Sequence, residues 1–421
     1  MKSLPFPKLF TFEIESRCNN NCVGCGNVFS HTNNLVSSQL SLCEWDSIIK
    51  QIGPHAKSVK LTGGEPTLSP LFFPILASLE KWGIPYYIFT NGRWKDKGVL
   101  IKRLQRSRLL LGMLISLHGA DADSHEAFTG VDDSYQEVLS SIKIAAPYVN
   151  IALNVVMTAR NYQQIEAMVD LAKSSGAKSI SFSRYIGLPI TEITPTVAQL
   201  SLAIKKIESL QSKEFPLHYG PCIPQCFVSS QSRGCWAGIA SCTIDPWGYI
   251  KPCTHSILKA GNLIQSNLET LWNGPIFQKW REMVPQDCTE CDLIDICGGG
   301  CKAQMLIDSS NKDALAGNAV SHALPTKRVI LPASSYPRFF GEIISSREAG
   351  KYFLLNGGRV CCVNHATLDL ICNLRGNLTL GQLKNSLSQS SFDVIVALIH
   401  EGVICLDHQS GIENFKPKAA Q

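Results

Sequence analysis

The 421-residue sequence has no long apolar run: its longest aliphatic stretches, such as Leu109 to Ile115 and Val394 to Ile399, fall far short of the roughly 18 to 20 residues a bilayer requires. No membrane segment is expected. Met1 to Glu15 has a single Lys before Pro5, no apolar stretch of signal length and no small-residue cleavage site, so export is not expected and the chain is read as cytoplasmic. Excess charge is also scarce. Charged residues make up 17%, and 39 Lys plus Arg against 34 Asp plus Glu leave +5, which excludes a polyanion-coating protein. With 45% hydrophobic residues there is enough apolar side chain to offset the ordering entropy, which excludes a disordered or collagen-like chain. No internal repeat or low-complexity tract is present. Cysteine, by contrast, is plentiful, and in a reducing compartment seventeen of them are better read as metal ligands or reactive thiols than as disulfides.

At about 150 residues per domain the length accommodates two or three domains. From Phe10 to about Gln211, short β-branched or aromatic runs alternate with amphipathic stretches, the βαβ pattern of a parallel sheet. The expected strands are Thr11 to Glu15, Val59 to Thr62, Tyr86 to Thr90, Met113 to Leu117, Ile151 to Val156 and Ser179 to Ser183. Between them Leu42 to Ile52, Leu71 to Trp82, Tyr135 to Ala145 and Ile165 to Ser174 carry helical periodicity. The fold class is therefore α/β, a partial (β/α)6 TIM-like barrel over residues 1–215, with functional residues expected at the C-terminal ends of the strands. A cysteine-rich domain is expected over 216–307, and more than half of the cysteines fall between Cys222 and Cys301. Residues 308–345, rich in Ser, Asn, Ala and Pro and without a period, read as a linker. A small winged-helix-like module over 346–411 follows in the order β-β-α-α-α-β, opened by an Asn356-Gly357 turn between two apolar runs, and 412–421 is a tail.

Cys18, Cys22 and Cys25 form CxxxCxxC directly after the first strand. Thiolates are soft ligands for iron–sulfur clusters or zinc, and three on one tight loop can hold three corners of a cubane while leaving one iron open. Cys43 lies on an apolar helical pattern and reads as a core residue. Gly63-Gly64-Glu65-Pro66 stands just after the second strand, where two glycines allow close backbone approach to a ligand. Together the two motifs resemble the radical S-adenosylmethionine (SAM) enzymes. That resemblance implies SAM as cofactor, a [4Fe-4S] cluster on the three cysteines, and Gly63, Gly64, Glu65 and Pro66 around the methionine amino group. Asn91, Ser116, Asn154 and Arg184, at later strand ends, would supply ribose or carboxylate contacts; Asn91 as a plain turn residue and Arg184 as partner of a barrel acid remain equal alternatives. The chemistry implied is one-electron cleavage of the sulfonium and hydrogen-atom abstraction by a 5′-deoxyadenosyl radical, in a lumen that excludes water. No catalytic side chain is assigned. His118 and His125 are read as satisfying local hydrogen bonds.

Cys288, Cys291, Cys297 and Cys301 read CxxCxxxxxCxxxC, with Cys235, Cys242 and Gly248xxxxCys253 upstream. This resembles the SPASM domain, which houses auxiliary iron–sulfur clusters. One or two such clusters are implied: Cys235, Cys253 and Cys301, with Cys242 as a further candidate, around one, and Cys288, Cys291 and Cys297 around another. The family's final cysteine is missing, leaving Asp308, Asp313, His322 or an open site as the alternatives. Cys222 and Cys226 lie outside the pattern, with a core role slightly favoured. A structural zinc knuckle is the bland alternative for the whole group.

Winged-helix modules often read DNA, but residues 351–411 carry four cations against four acids, and Phe392 to His400 holds no Lys or Arg, so no nucleic acid is expected. The module instead resembles the peptide chaperone of pyrroloquinoline-quinone biosynthesis, whose edge strand takes up a leader segment. The stretches GCGNVF, LTGGEPT, FTNGRW, ISLHG, SRYIG, CIPQC and CTIDPWG resemble the maturases of peptides with Nif-eleven leaders. Implied partners are a ribosomal precursor peptide and an electron donor such as flavodoxin or ferredoxin. The implied reaction is excision of a tyrosine-derived fragment to leave an α-keto-β-amino acid. Crosslinking or epimerisation of a peptide, maturation of a folded sulfatase or dehydrogenase, and a zinc-binding winged-helix regulator are the alternatives.

Overall fold

The computed structural model describes residues 3–26, 38–212, 214–228, 234–291, 294–317, 334–339, 342–345, 351–356, 359–372, 374, 378–400 and 403–407. His322 and the turn glycines Gly357 and Gly358 lie outside these. Compact units form over Phe6–His322 and over Ala323–Gln421, the latter together with Lys2–Pro5. Each is described by itself.

In the first unit the described strands are β1 (Leu9–Glu13), β2 (Ser58–Thr62), β3 (Tyr86–Thr90), β4 (Leu110–Ser116), β5 (Ile151–Met157), β6 (Ser179–Arg184), β7 (Leu217–Tyr219), β8 (Ser241–Ile244), β9 (Tyr249–Lys251) and β10 (Gly261–Asn262). They form one sheet in the order β10-β9-β8-β1-β2-β3-β4-β5-β6-β7. From β8 through β1 to β7 every neighbouring pair is parallel, and β9 and β10 are added antiparallel. The six strands expected from the alternation are all present, in sequence order and within a few residues of their expected ends. The partial barrel followed by a cysteine-rich domain is the observed architecture. The sheet nevertheless runs past six strands: β7 extends one edge, and β8, from the second domain, pairs with β1 on the other. Short strands such as β8 and β9 carry too few residues for a period to be legible.

Helices α1 (Leu42–Ile52), α2 (Phe72–Lys81), α3 (Lys97–Leu104), α4 (Ala122–Thr129), α5 (Ser134–Ala145), α6 (Ile165–Ser174) and α7 (Val197–Ser209) follow β1 to β6. The alternation in each strand explains the layer. In β5, Ile151, Leu153, Val155 and Met157 are buried, whereas Ala152, Asn154 and Val156 are only half-buried on the other face. The outward faces of the strands share one core with the helices, and Phe12 packs on Trp45 of α1 with ring centroids 4.9 Å apart. α1 starts where it does because Ser41 and Glu44 form a reciprocal capping box.

The second unit holds β13 (Lys351–Asn356) and β14 (Arg359–Asn364) as an antiparallel pair, then helices His365–Cys372, Leu380–Ser386 and Gln389–His400, as the winged-helix order expects. Two further strands fall in the stretch read as a linker: β11 (Tyr336–Arg338), paired with β15 (Cys405–Asp407), and β12 (Glu342–Ser345), paired with β13. β11 is too short to carry a period and its partner is remote in sequence, while β12 lies just before its partner but is itself too short for an alternation to be legible. Leu354, Ile371, Leu380, Leu383, Ile395 and Leu398 centre its core. Among the described residues no helix is long and apolar enough to cross a membrane.

Candidate functional site

The candidate site residues of the barrel gather at the C-terminal ends of the strands. The loop carrying Cys18, Cys22 and Cys25 leaves β1, and the residues just before it are gripped by the turn after β2. The Gly64 N–H donates to the Glu15 carbonyl at 2.6 Å and the Glu65 N–H to the Arg17 carbonyl at 2.8 Å. A Cβ on Gly63, at φ +152°, would meet the Glu15 carbonyl oxygen at 2.3 Å, and one on Gly64 the Arg17 carbonyl oxygen at 2.2 Å. Two glycines are thus needed because the backbones touch.

Glu65 turns inward and is fully buried. Its Oε1 accepts from the Thr67 hydroxyl at 2.7 Å and the Thr90 hydroxyl at 2.8 Å, and its Oε2 from the Asn91 N–H at 2.8 Å, which joins the ends of β2 and β3. Burial pushes its carboxyl above the usual range, while these donors oppose the shift. Pro66 opens the short turn Pro66–Leu68 that Glu65 caps. The Asn91 amide reaches back to the cysteine loop, donating to the Asn19 side-chain oxygen at 2.7 Å and to the Cys18 sulfur at 3.5 Å. Arg93 completes the brace: its Nη1 donates to the Asn19 carbonyl and to the Asn20 side chain, and its Nε to Glu137. Sequence reasoning gave Arg93 no role, although it lies within the FTNGRW stretch.

Burial raises the Cys18 thiol above its ordinary value and pushes the Cys22 thiol up to about 12, where the nearby Cys25 and Cys18 add to the effect. A cationic partner reverses that penalty at Cys18 and Cys22. The donor set is all sulfur, which fits an iron–sulfur cluster.

Further round the sheet, Ser116, Asn154 and Ser181 stand in register across β4, β5 and β6, each half-buried, and the Ser183 hydroxyl donates to Asn154 at 3.2 Å. They form a polar row on the face away from the helices. Arg184 is engaged elsewhere. Its Nη1 and Nη2 donate to Asp313 at 2.7 and 2.8 Å in a buried bidentate pair, so the residue that the linker expectation left in a strap is fully buried against β6. Burial disfavours the guanidinium's charge, but Asp313 more than compensates. The expected local role of the histidines is found: the His118 N–H donates to His125 Nδ1 at 3.0 Å, and the Val156 N–H to His118 Nδ1 at 3.2 Å.

The second-domain thiols fall into two groups. Cys222, Cys235, Cys253 and Cys301 pack around Ile186, Ala237 and Trp280. Burial lifts Cys222 to about 12 and Cys235 to about 11, and in both Cys301 adds to the rise. Cys226, Cys288, Cys291 and Cys297 make the other group. Burial raises Cys288, and then Cys297, Cys226 and Cys291 do so. Cys242 stands apart from both. It lies on β8 opposite Phe10, buried in the apolar core, and burial alone raises its thiol. His255, two residues past Cys253, links the second domain to the first cysteine loop: its Nδ1 meets the Gly26 carbonyl at 3.0 Å, so that nitrogen carries the proton. Among the described residues no three His, Cys, Asp or Glu side chains converge closely enough for a single metal ion. A cluster is a larger body whose thiolates bind separate irons.

The family comparisons agree with this arrangement. Residues 13–172 match the radical SAM superfamily and residues 235–292 match the SPASM iron–sulfur cluster-binding domain. The chain thus carries a radical SAM domain followed by a SPASM domain, and these domains imply a [4Fe-4S] cluster, auxiliary clusters and SAM. Among curated relatives, it is 28% identical over 325 residues to the mycofactocin maturase MftC of Mycobacterium tuberculosis, covering 72% of this chain and 80% of the relative. It is 24% identical to the AdoMet-dependent heme synthase of Methanosarcina barkeri over 71% of this chain and 92% of that one. The subtilosin biosynthesis protein AlbA of Bacillus subtilis is 25% identical over 70% of this chain and 67% of its own. The Streptococcus suis SuiB structure with bound S-adenosylmethionine superposes with a TM-score of 0.62 at 21% identity, covering 75% of this chain and 78% of that one.

Proposed function

We propose that this enzyme modifies a ribosomally made precursor peptide in the cytoplasm by hydrogen-atom abstraction, and that the modification is excision of a tyrosine-derived fragment to leave an α-keto-β-amino acid. The observation that carries this is the thiol loop of Cys18, Cys22 and Cys25 braced by Gly63 to Glu65 and Asn91 at one rim of the sheet, in a chain whose curated relatives include a mycofactocin maturase and a PqqA peptide cyclase. SuiB, a neighbour in fold, has been solved bound to precursor peptide SuiA. Cys18, Cys22 and Cys25 would hold a [4Fe-4S] cluster, which when bound would supply the electron for reductive cleavage of SAM.

The chain's own residues hold and orient. Gly63 and Gly64 present backbone to the methionine end, and Ser116 and Asn154 offer hydroxyl and amide groups toward the nucleoside. Glu65 fixes both turns, and the Asn91 amide holds the Cys18 sulfur. Arg184, with both terminal nitrogens given to Asp313, positions the end of β6 rather than binding the cofactor. The second unit takes up the Nif-eleven-type leader along β12 or β14, the outer strands of its described three-stranded sheet, as a chaperone-like recognition element, which raises the concentration of the core peptide at the rim. Flavodoxin or ferredoxin delivers the electron.

Mass spectrometry of a precursor co-expressed with the enzyme tests this. Loss of a tyramine mass supports excision, a loss of about 2 Da indicates a crosslink, and an unchanged mass with altered stereochemistry indicates epimerisation. Deleting residues 323–421 should stop peptide modification while SAM cleavage persists. A maturase of a folded protein would tolerate that deletion.

A further inference from the structure

Three thiols of the second group, Cys288, Cys291 and Cys297, need a fourth partner if they hold a cubane cluster. The acids suggested by the sequence are otherwise occupied. Both Asp313 oxygens serve Arg184, and they also accept from the Cys301 N–H at 2.7 Å and the Leu315 N–H at 2.9 Å. Asp308 is exposed and accepts from the Gln304 side chain at 2.8 Å. His322 is not among the described residues.

Cys226 comes from upstream instead. It sits in the short turn Gln225–Phe227, and the Gln225 N–H donates to the Cys297 sulfur at 3.4 Å, which places this turn against the second group. The Gly317 N–H donates to the Cys226 sulfur at 3.4 Å. Amides aimed at two sulfurs of one set are what a thiolate-ligated cluster uses to stabilise its charge. The segment is pinned so that its two cysteines diverge. Ile223 and Phe227 are buried in the main core, Pro224 stiffens the turn, and Cys222 packs with Cys301 in the first group.

We propose that Cys226 is the fourth thiolate of the second auxiliary cluster, so that the single segment Cys222 to Cys226 gives one corner to each auxiliary cluster and ties the two together. Each thiol that ligates releases its proton to solvent. The missing downstream cysteine is thereby replaced by an upstream one. Cys242, on its core strand, takes no part. This rests on the SPASM region holding two clusters.

The test uses the full chain with Cys18, Cys22 and Cys25 all changed to Ala, so that any remaining iron belongs to the second domain. After anaerobic reconstitution with ferrous iron and sulfide, iron and sulfide per chain and electron paramagnetic resonance before and after reduction are measured. Adding Cys226→Ala should remove up to about half of the iron and sulfide, or convert one cluster to a three-iron form with its own oxidised signal. Cys226→Ser, which keeps the size and offers an oxygen ligand, should retain the fold by circular dichroism and shift the signal of one cluster only. Unchanged iron and spectra in both variants, or loss caused by Asp308→Ala instead, would overturn the proposal. If the triple variant itself binds no iron, the two-cluster premise fails and the proposal with it, an outcome separate from an iron-loaded parent indifferent to Cys226.

Discussion

Cys18, Cys22 and Cys25 lie within eight residues of one loop, whereas Cys222, Cys235, Cys253 and Cys301 come from four segments spread over eighty. The first group is held from outside by neighbouring strand ends: Gly64 and Glu65 grip residues 15–17, and Asn91 and Arg93 hold Asn19, Asn20 and Cys18. The second is held by the packing around Trp280 and by the Arg184–Asp313 pair, which ties it to the end of β6 and also receives the Cys301 N–H. A loop of three ligands needs a rigid rim but little chain. Ligands gathered from distant segments require the domain to fold, or the metal to organise it.

The largest effect that separates the groups is Cys18→Ala. Deoxyadenosine formation should fall to background, while iron in the second domain remains. Loss of all iron would show that the two groups load as one.

Asp313→Ala comes next. It leaves Arg184 buried without its partner, and removing one member of a buried pair costs about 3–5 kcal/mol. Thermal melts should show that loss, together with lower iron in the second domain and little change in the first. The double change Arg184→Met with Asp313→Leu should recover much of the stability, because the uncompensated charge is gone.

Glu65→Gln probes the brace of the first group. One of its oxygens becomes a donor facing other donors, and changing a supporting partner of a metal site commonly costs about 10–100-fold. Deoxyadenosine formation should drop by that factor with auxiliary iron intact. Cys242→Ala should do least: about 1 kcal/mol of stability, with iron content unchanged. A fall in iron would return Cys242 to the ligands and break the two-group division.

The barrel was legible because β1 to β6 and α1, α2, α5 and α6 are long enough to show their periods, and Leu42–Ile52 and Ile165–Ser174 end where the pattern ends. The strands β8, β11 and β12 were not, since three or four residues carry no period, and the partners β1 of β8 and β15 of β11 are far away in sequence. The same limit applies at the site. CxxxCxxC and Gly-Gly-Glu-Pro announce themselves through spacing. The pairing of Arg184 with Asp313 spans 129 residues and has no local signature.

By itself the sequence determined the thiol trio, the glycine turn and the alternation that builds a parallel sheet, because each of these is written in residues a few positions apart. Tertiary structure alone decided that Cys242 belongs to the core, that Asp313 serves Arg184, and that Cys222 and Cys226 face two different thiol groups. Those outcomes depend on which remote segments the packed core brings together, and that is a property of the whole fold rather than of any spacing along the chain.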